Sequence, residues 1–238
     1  MTPLIRTEGK TYQTGYALSV DRLLAEEPLR VESRDDTARA AEAALRLPPS
    51  LYFYVGHACP AFGALVLVYE LERIADSVGS ASDHDTGGLH AGHIHFDPEL
   101  SSTERIVWSG APAHRWALPE VPERFLGYVA SWFESDAAYF TGRRAVRNDE
   151  VGRLLHARNE RRAWTVEVRL ENDHALLEGV RLIGLSPAAH EAVRHAMATN
   201  PGLHQSWERL LDEGLVRAFD PATMHTEVER LVASGALS

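Results

Sequence analysis

Apolar positions recur along this chain with two different periods, and the place where one gives way to the other divides it. Over 163–170 the run Ala-Trp-Thr-Val-Glu-Val-Arg-Leu alternates, setting Trp164, Val166, Val168 and Leu170 on one face and Thr165, Glu167 and Arg169 on the other. A period of two marks a half-buried strand. The runs 51–55, 64–71 and 179–185 are rich in β-branched, aromatic or aliphatic residues and predict further strands, the first two as a hairpin or as neighbours. Shorter strands are predicted over 12–20, 93–96 and 105–108. The helical period appears over 119–133, where Val121, Phe125, Val129 and Trp132 recur at three or four residues and Glu120 and Glu123 lie at the positive end of the helix dipole. An alanine-rich helix is predicted over 37–47 between Asp35-Asp36 and Pro48-Pro49. From Ser186-Pro187 onward the pattern stays helical, with Pro201-Gly202 as a break and helices predicted near 204–217 and 221–233. Residues 75–91 are small, polar and glycine-rich and predict a loop on the surface or lining a cleft.

This order predicts an α+β fold over 1–238 as one domain: a mixed or mainly antiparallel sheet, continuous or split, with flanking helices over 1–185, and a helical C-terminal region over 186–238. The C-terminal helices are expected to cover a sheet face or to mediate homodimer contact. An apolar share of 45% and a charged share of 24% exclude a disordered chain, and no apolar run is long enough to cross a bilayer. The first residues lack the pattern of an export signal, and the lone Cys59 cannot form an internal disulfide, so a cytoplasmic location is expected. A net charge of −10 weakens the case for nucleic acid, although seven arginines between Arg143 and Arg162 could form a local anion platform or a solvated helix face.

The candidate chemistry gathers in two places. One is the aromatic run Tyr52-Phe-Tyr54-Val-Gly-His57-Ala-Cys59. The other is Asp83-His-Asp-Thr86-Gly87-Gly88-Leu-His90-Ala-Gly-His93-Ile-His95-Phe-Asp97. His90, His93 and His95 form an HxxHxH pattern, a set of imidazoles suited to zinc, with His57, Cys59, Asp83 or Asp85 able to complete a shell. Cys59 beside His57 reads either as a nucleophile or as a structural cysteine in an Ala-Cys-Pro turn. Gly87-Gly88 reads either as a close-approach point for a ligand or as a tight turn. Glu167, mid-strand on a polar face, reads either as a cross-strand ion-pair partner or as a carboxylate lining the cleft.

The order of an aromatic strand ending at His57, a small-residue loop with Thr86, and Trp164-Thr-Val-Glu167-Val-Arg followed by Leu177-Glu-Gly-Val-Arg-Leu-Ile183 resembles the plan of the ADP-ribosyltransferase superfamily across about residues 50–185. The resemblance implies a split mixed sheet around NAD. It assigns His57 to the nicotinamide ribose, Thr86 to holding the cofactor, Tyr52 or Tyr54 to stacking on nicotinamide, and Glu167 to stabilising the oxocarbenium-like ribose. NAD would be consumed in favour of water or an unknown acceptor. Two other classes stay open: a zinc hydrolase built on His90, His93 and His95, and a non-catalytic binding or interaction protein.

Overall fold

The computed structural model describes residues 3–8, 20–31, 36–58, 65–74, 76–86, 95–96, 115–140, 155–156, 165–220 and 222–237. In chain order the elements are β1 (Pro3–Glu8), α1 (Val20–Leu24), α2 (Asp36–Leu45), β2 (Leu51–Val55), β3 (Leu65–Glu70), α3 (Leu71–Ile74), β4 (Gly79–Ser82), β5 (His95–Phe96) and β6 (Arg115–Ala117). A 3-10 turn (Leu118–Glu120) leads into α4 (Val121–Trp132), then α5 (Asp136–Phe140), β7 (Leu155–His156), β8 (Glu167–Leu170), β9 (Val180–Leu185), α6 (Pro187–Thr199), α7 (Leu203–Asp212), β10 (Val216–Ala218) and α8 (Met224–Ala233). The fold is α+β, and its strands form two compact units. Among the described residues no helix is long and apolar enough to cross a membrane.

The first unit takes residues 1–33, 56–74 and 173–238. Its strands run in the order β10-β9-β3-β1, antiparallel except for the parallel pair β9 and β10. Leu65 to Tyr69 of β3 are all buried, so this strand is a continuous apolar run instead of an alternating one. Helix α6 begins where the sequence signals it: Pro187 occupies the first turn and Ser186 Oγ accepts a hydrogen bond from Ala189 N–H at 3.2 Å. Gly184 of β9 lets Phe219 and Val228 of α8 approach, since a Cβ there would lie 3.3 Å from the Phe219 ring.

The second unit takes residues 34–55 and 75–172. Its strands run β2-β8-β4-β6, all antiparallel, and β5 pairs with β7 separately. Directly opposed residues share a face. Phe53, Val168, Ala81 and Trp116 therefore form one apolar row, while Tyr54, Glu167, Ser82 and Arg115 form a polar row, as do Tyr52, Arg169 and Ser80. Helix α4 buries Val121, Phe125, Tyr128 and Val129, as the helical spacing requires. Phe125, Tyr128 and Phe133 pack edge-on around Tyr139 of α5, with ring centroids 5.0 to 6.5 Å from it.

Tyr139 also closes the end of the β2–β8 ladder. Val55 N–H donates to Val166 O, but the return contact runs through the phenol: Tyr139 OH donates to Val55 O at 2.8 Å and accepts from Val166 N–H at 3.2 Å. Tyr139→Phe keeps the ring and strands both backbone groups, so it is expected to cost about 1–3 kcal/mol in urea unfolding. An unchanged midpoint would show that the hydroxyl does not close the ladder.

Three expectations change. The stretch predicted as a loop over 75–91 contains β4, which is buried and paired on both sides. The runs near 51–55 and 64–71 are not a hairpin, because β2 pairs with β8 while β3 pairs with β1 and β9. The helix predicted over 204–217 stops at Asp212, and Val216–Ala218 is strand β10. The predicted strand over 12–20 falls on residues outside those described except Val20, which opens α1, and that over 105–108 lies wholly outside them.

Candidate functional site

The alternation of β8 puts Glu167 and Arg169 on one face, and the neighbouring strands add hydroxyls to it: Tyr54 and Ser82 oppose Glu167, Tyr52 and Ser80 oppose Arg169. A sheet face of this kind normally meets water. Here Glu167 and Arg169 are both 0% exposed, and Ser80, Ser82 and Tyr54 are buried with them. Buried polar groups need partners, and the site is a network of them. Arg169 Nη1 donates to Glu167 Oε1 at 3.1 Å and Nη2 to Ser80 Oγ at 3.2 Å. Thr86 Oγ1 donates to Glu167 Oε1 at 2.6 Å, and Thr86 N–H donates to Oε2 at 3.2 Å. Tyr54 OH donates to Asp85 Oδ2 at 3.3 Å. Ser82 Oγ and Arg169 Nε have no hydrogen-bond partner among the described residues.

Segment 82–86 is thereby tied to Glu167 at both ends, by the register at Ser82 and by two hydrogen bonds at Thr86. Between those ends lies a second pair, His84 Nδ1 and Asp83 Oδ1, 2.8 Å apart with His84 fully buried. On the other side Tyr52 OH donates to Glu42 Oε1 at 3.1 Å, and the same oxygen accepts from Ser50 N–H at 2.9 Å, anchoring α2 to the start of β2.

Burial pushes the Glu167 carboxyl up to about 8. Arg169 opposes that shift, the nearby Asp85 adds to it, and the two donors of Thr86 oppose it. Burial, then Glu167 and Glu42, hold the Tyr52 phenol far above its ordinary range, so it stays protonated and can only donate to a carboxylate. The unit thus presents a carboxyl able to change its charge near neutral pH, beside one fixed cation and several hydroxyls.

Of the residues singled out from sequence, Glu167, Thr86, Tyr52 and Tyr54 fall in this network. His57 belongs to the first unit, where its Nδ1 lies 3.6 Å from Glu229 Oε1 of α8, an oxygen that also accepts from Ala58 N–H at 3.0 Å. Gly87, Gly88, His90, His93, Cys59 and the arginine-rich stretch lie outside the described residues, and His95 is placed only by its backbone pairing with His156. Among the described residues no group of three histidine, cysteine, aspartate or glutamate side chains is arranged to hold a metal ion. The sequence reading missed Ser80 and Ser82, because a Gly-Ser-Ala-Ser stretch carries no strand propensity. It also missed the pairing of Asp85 with Tyr54, 31 positions away. No protein-family model matches the chain, and neither the curated proteins nor the solved structures contain a match to it.

Proposed function

We propose that the chain is an NAD-consuming enzyme of ADP-ribosyltransferase or glycohydrolase type, with Glu167 as the group that stabilises the cationic ribose while the nicotinamide bond breaks. The observation that carries this reading is the buried Glu167 carboxyl hydrogen-bonded by a hydroxyl, Thr86 Oγ1, at 2.6 Å. A carboxylate that accepts from a hydroxyl inside a polar, water-poor layer is the chemistry needed to hold a sugar hydroxyl and to face a developing positive charge. Ser82 Oγ and Arg169 Nε, which have no hydrogen-bond partner among the described residues, add hydrogen-bonding capacity on the same sheet face. Tyr54 and Tyr52, opposite Glu167 and Arg169, add aromatic surface for a planar ring.

Incubation with NAD and chromatographic assay of free nicotinamide test the reading. Release of nicotinamide that rises with enzyme concentration is expected. NAD recovered intact after hours with stoichiometric enzyme would remove the proposal.

A further inference from the structure

Strand β9 carries one residue more than β3 does along their shared ladder. Val68 faces Leu182 while the next residue, Tyr69, faces Val180, so Arg181 is the unpaired residue of a β-bulge. A bulge re-aims the side chain it carries, and here the guanidinium reaches the chain just past α8. That helix ends in a pair of bonds, Gly235 N–H to Val232 O and Ala236 N–H to Leu231 O, with Gly235 at φ +69. The turn returns Leu237 to the sheet, where Arg181 Nε and Nη2 both donate to its backbone oxygen, at 3.3 and 3.1 Å. Arg181 and Leu237 line a cavity of about 90 Å³ together with Pro3, Val68, Tyr69 and Val232, all of them in the first unit. One water takes about 10–15 Å³ of such space. The cavity therefore has room for the short apolar chain of an organic molecule.

Two features of the rim select an anion. The Nε–Nη2 edge of a guanidinium matches the two oxygens of a carboxylate, yet in Arg181 both donors converge on a single carbonyl oxygen. Those distances exceed the roughly 2.7–2.9 Å of a charged pair, so a carboxylate is the better acceptor for this edge. The charge balance points the same way. Glu70 Oε2 accepts from Arg73 Nε at 3.0 Å and lies 3.8 Å from Arg181 Nη1, so one carboxylate serves two guanidinium groups and the trio carries one net positive charge. The rim meets solvent, the Arg181 side chain being 30% exposed and Gly235 exposed beside it. We propose that this cavity binds a short-chain monocarboxylate of about three to five carbons. Its carboxylate takes the Nε–Nη2 edge of Arg181 in place of the Leu237 oxygen, and its chain lies among Val68, Tyr69 and Val232. The site shares no residue with the Glu167 network and stands independently of NAD chemistry.

Titration of the full, nitrogen-15-labelled chain with sodium butanoate, read by amide chemical shifts, tests the site. Saturable shifts at Tyr69, Arg181 and Gly235 are expected, with a Kd of about 1 mM or tighter. The Leu237 amide should move toward its random-coil position as the neighbouring carbonyl is released. Butan-1-ol fills the same space without charge and is expected to bind at least about tenfold more weakly. Arg181→Gln should weaken butanoate by about tenfold or more, and Arg181→Lys, which keeps the charge and loses the planar edge, by a similar factor. Equal binding of butanoate and butan-1-ol to the wild type would overturn carboxylate recognition, a comparison that holds even if neither variant folds. No saturation by about 100 mM butanoate, shifts confined to other residues, or undiminished binding to Arg181→Gln would each remove the site.

Discussion

Glu167→Gln is expected to reduce nicotinamide release from NAD by about 100- to 10,000-fold with the fold intact, the range that a charge-stabilising or proton-handling side chain commands. Gln preserves size and still accepts from Thr86 Oγ1 and Arg169, but it cannot become an anion beside a cationic sugar. The same residue predicts opposite pH responses of rate and stability in the wild type. With its carboxyl held up to about 8 by burial, the ionised, active fraction grows as pH rises through 8, so the rate should climb and then level off. Stability should move the other way. The native state keeps the Glu167 proton to higher pH than the unfolded chain, so this group's contribution is complete at pH values below the ordinary carboxylate range. It is lost as pH rises from there through about 8, at a slope of about 1.4 kcal/mol per pH unit. In urea titrations from pH 5 to 9 the wild type should lose this component and Glu167→Gln should not. Parallel pH curves for the two proteins would mean that Glu167 is ionised throughout as an ordinary ion-pair partner of Arg169.

Gly79→Ala is expected to cost at least about 3 kcal/mol, or to prevent folding, although it adds one methyl group. A Cβ at this position would lie 2.1 Å from the backbone oxygen of Arg169 and 3.0 Å from Leu118 Cδ1. A flexible side chain could give way, but a carbonyl in the β4–β8 ladder cannot move without breaking the pairing that sets Ser80 against Arg169 and Ser82 against Glu167. Urea unfolding with far-ultraviolet circular dichroism checks it. A midpoint equal to wild type would show that β4 does not lie this close to β8, and would remove the basis for the polar network as well.

What the sequence reveals of the site is what lies within single elements. Alternation over 163–170 is enough to place Glu167 and Arg169 together on a polar face, and the structure keeps them there. Contacts across long separations leave no such trace: Thr86 meets Glu167 81 positions on, and nothing in either neighbourhood signals the pair. β4 was hidden because its strand character comes from β6 and β8 on its two sides, not from the propensities of glycine, serine and alanine. The overrun of α7 has a different cause. Gly214, at φ +68, is a helix stop of the usual kind, yet the apolar residues Leu215 and Val216 continue the spacing past it. The face that Glu167 occupies could be read as solvated because period-two patterning reports polarity and not burial.

The way the chain is shared between its two units constrains how the protein can be made and dissected. It passes from one unit to the other at 33/34, 55/56, 74/75 and 172/173. Strand β3 finds its partner β9 only when Leu65 meets Leu185, 120 positions further along. On the ribosome, β3 must therefore stay without that neighbour while residues 75–172 of the second unit are synthesised, an order of assembly that favours slow folding and dependence on protection from aggregation. For the experimenter, no single cut releases either unit: a fragment ending at 172 lacks β9 and β10, and the Glu167 network can be isolated only by splicing 34–55 to 75–172 across the excised β3.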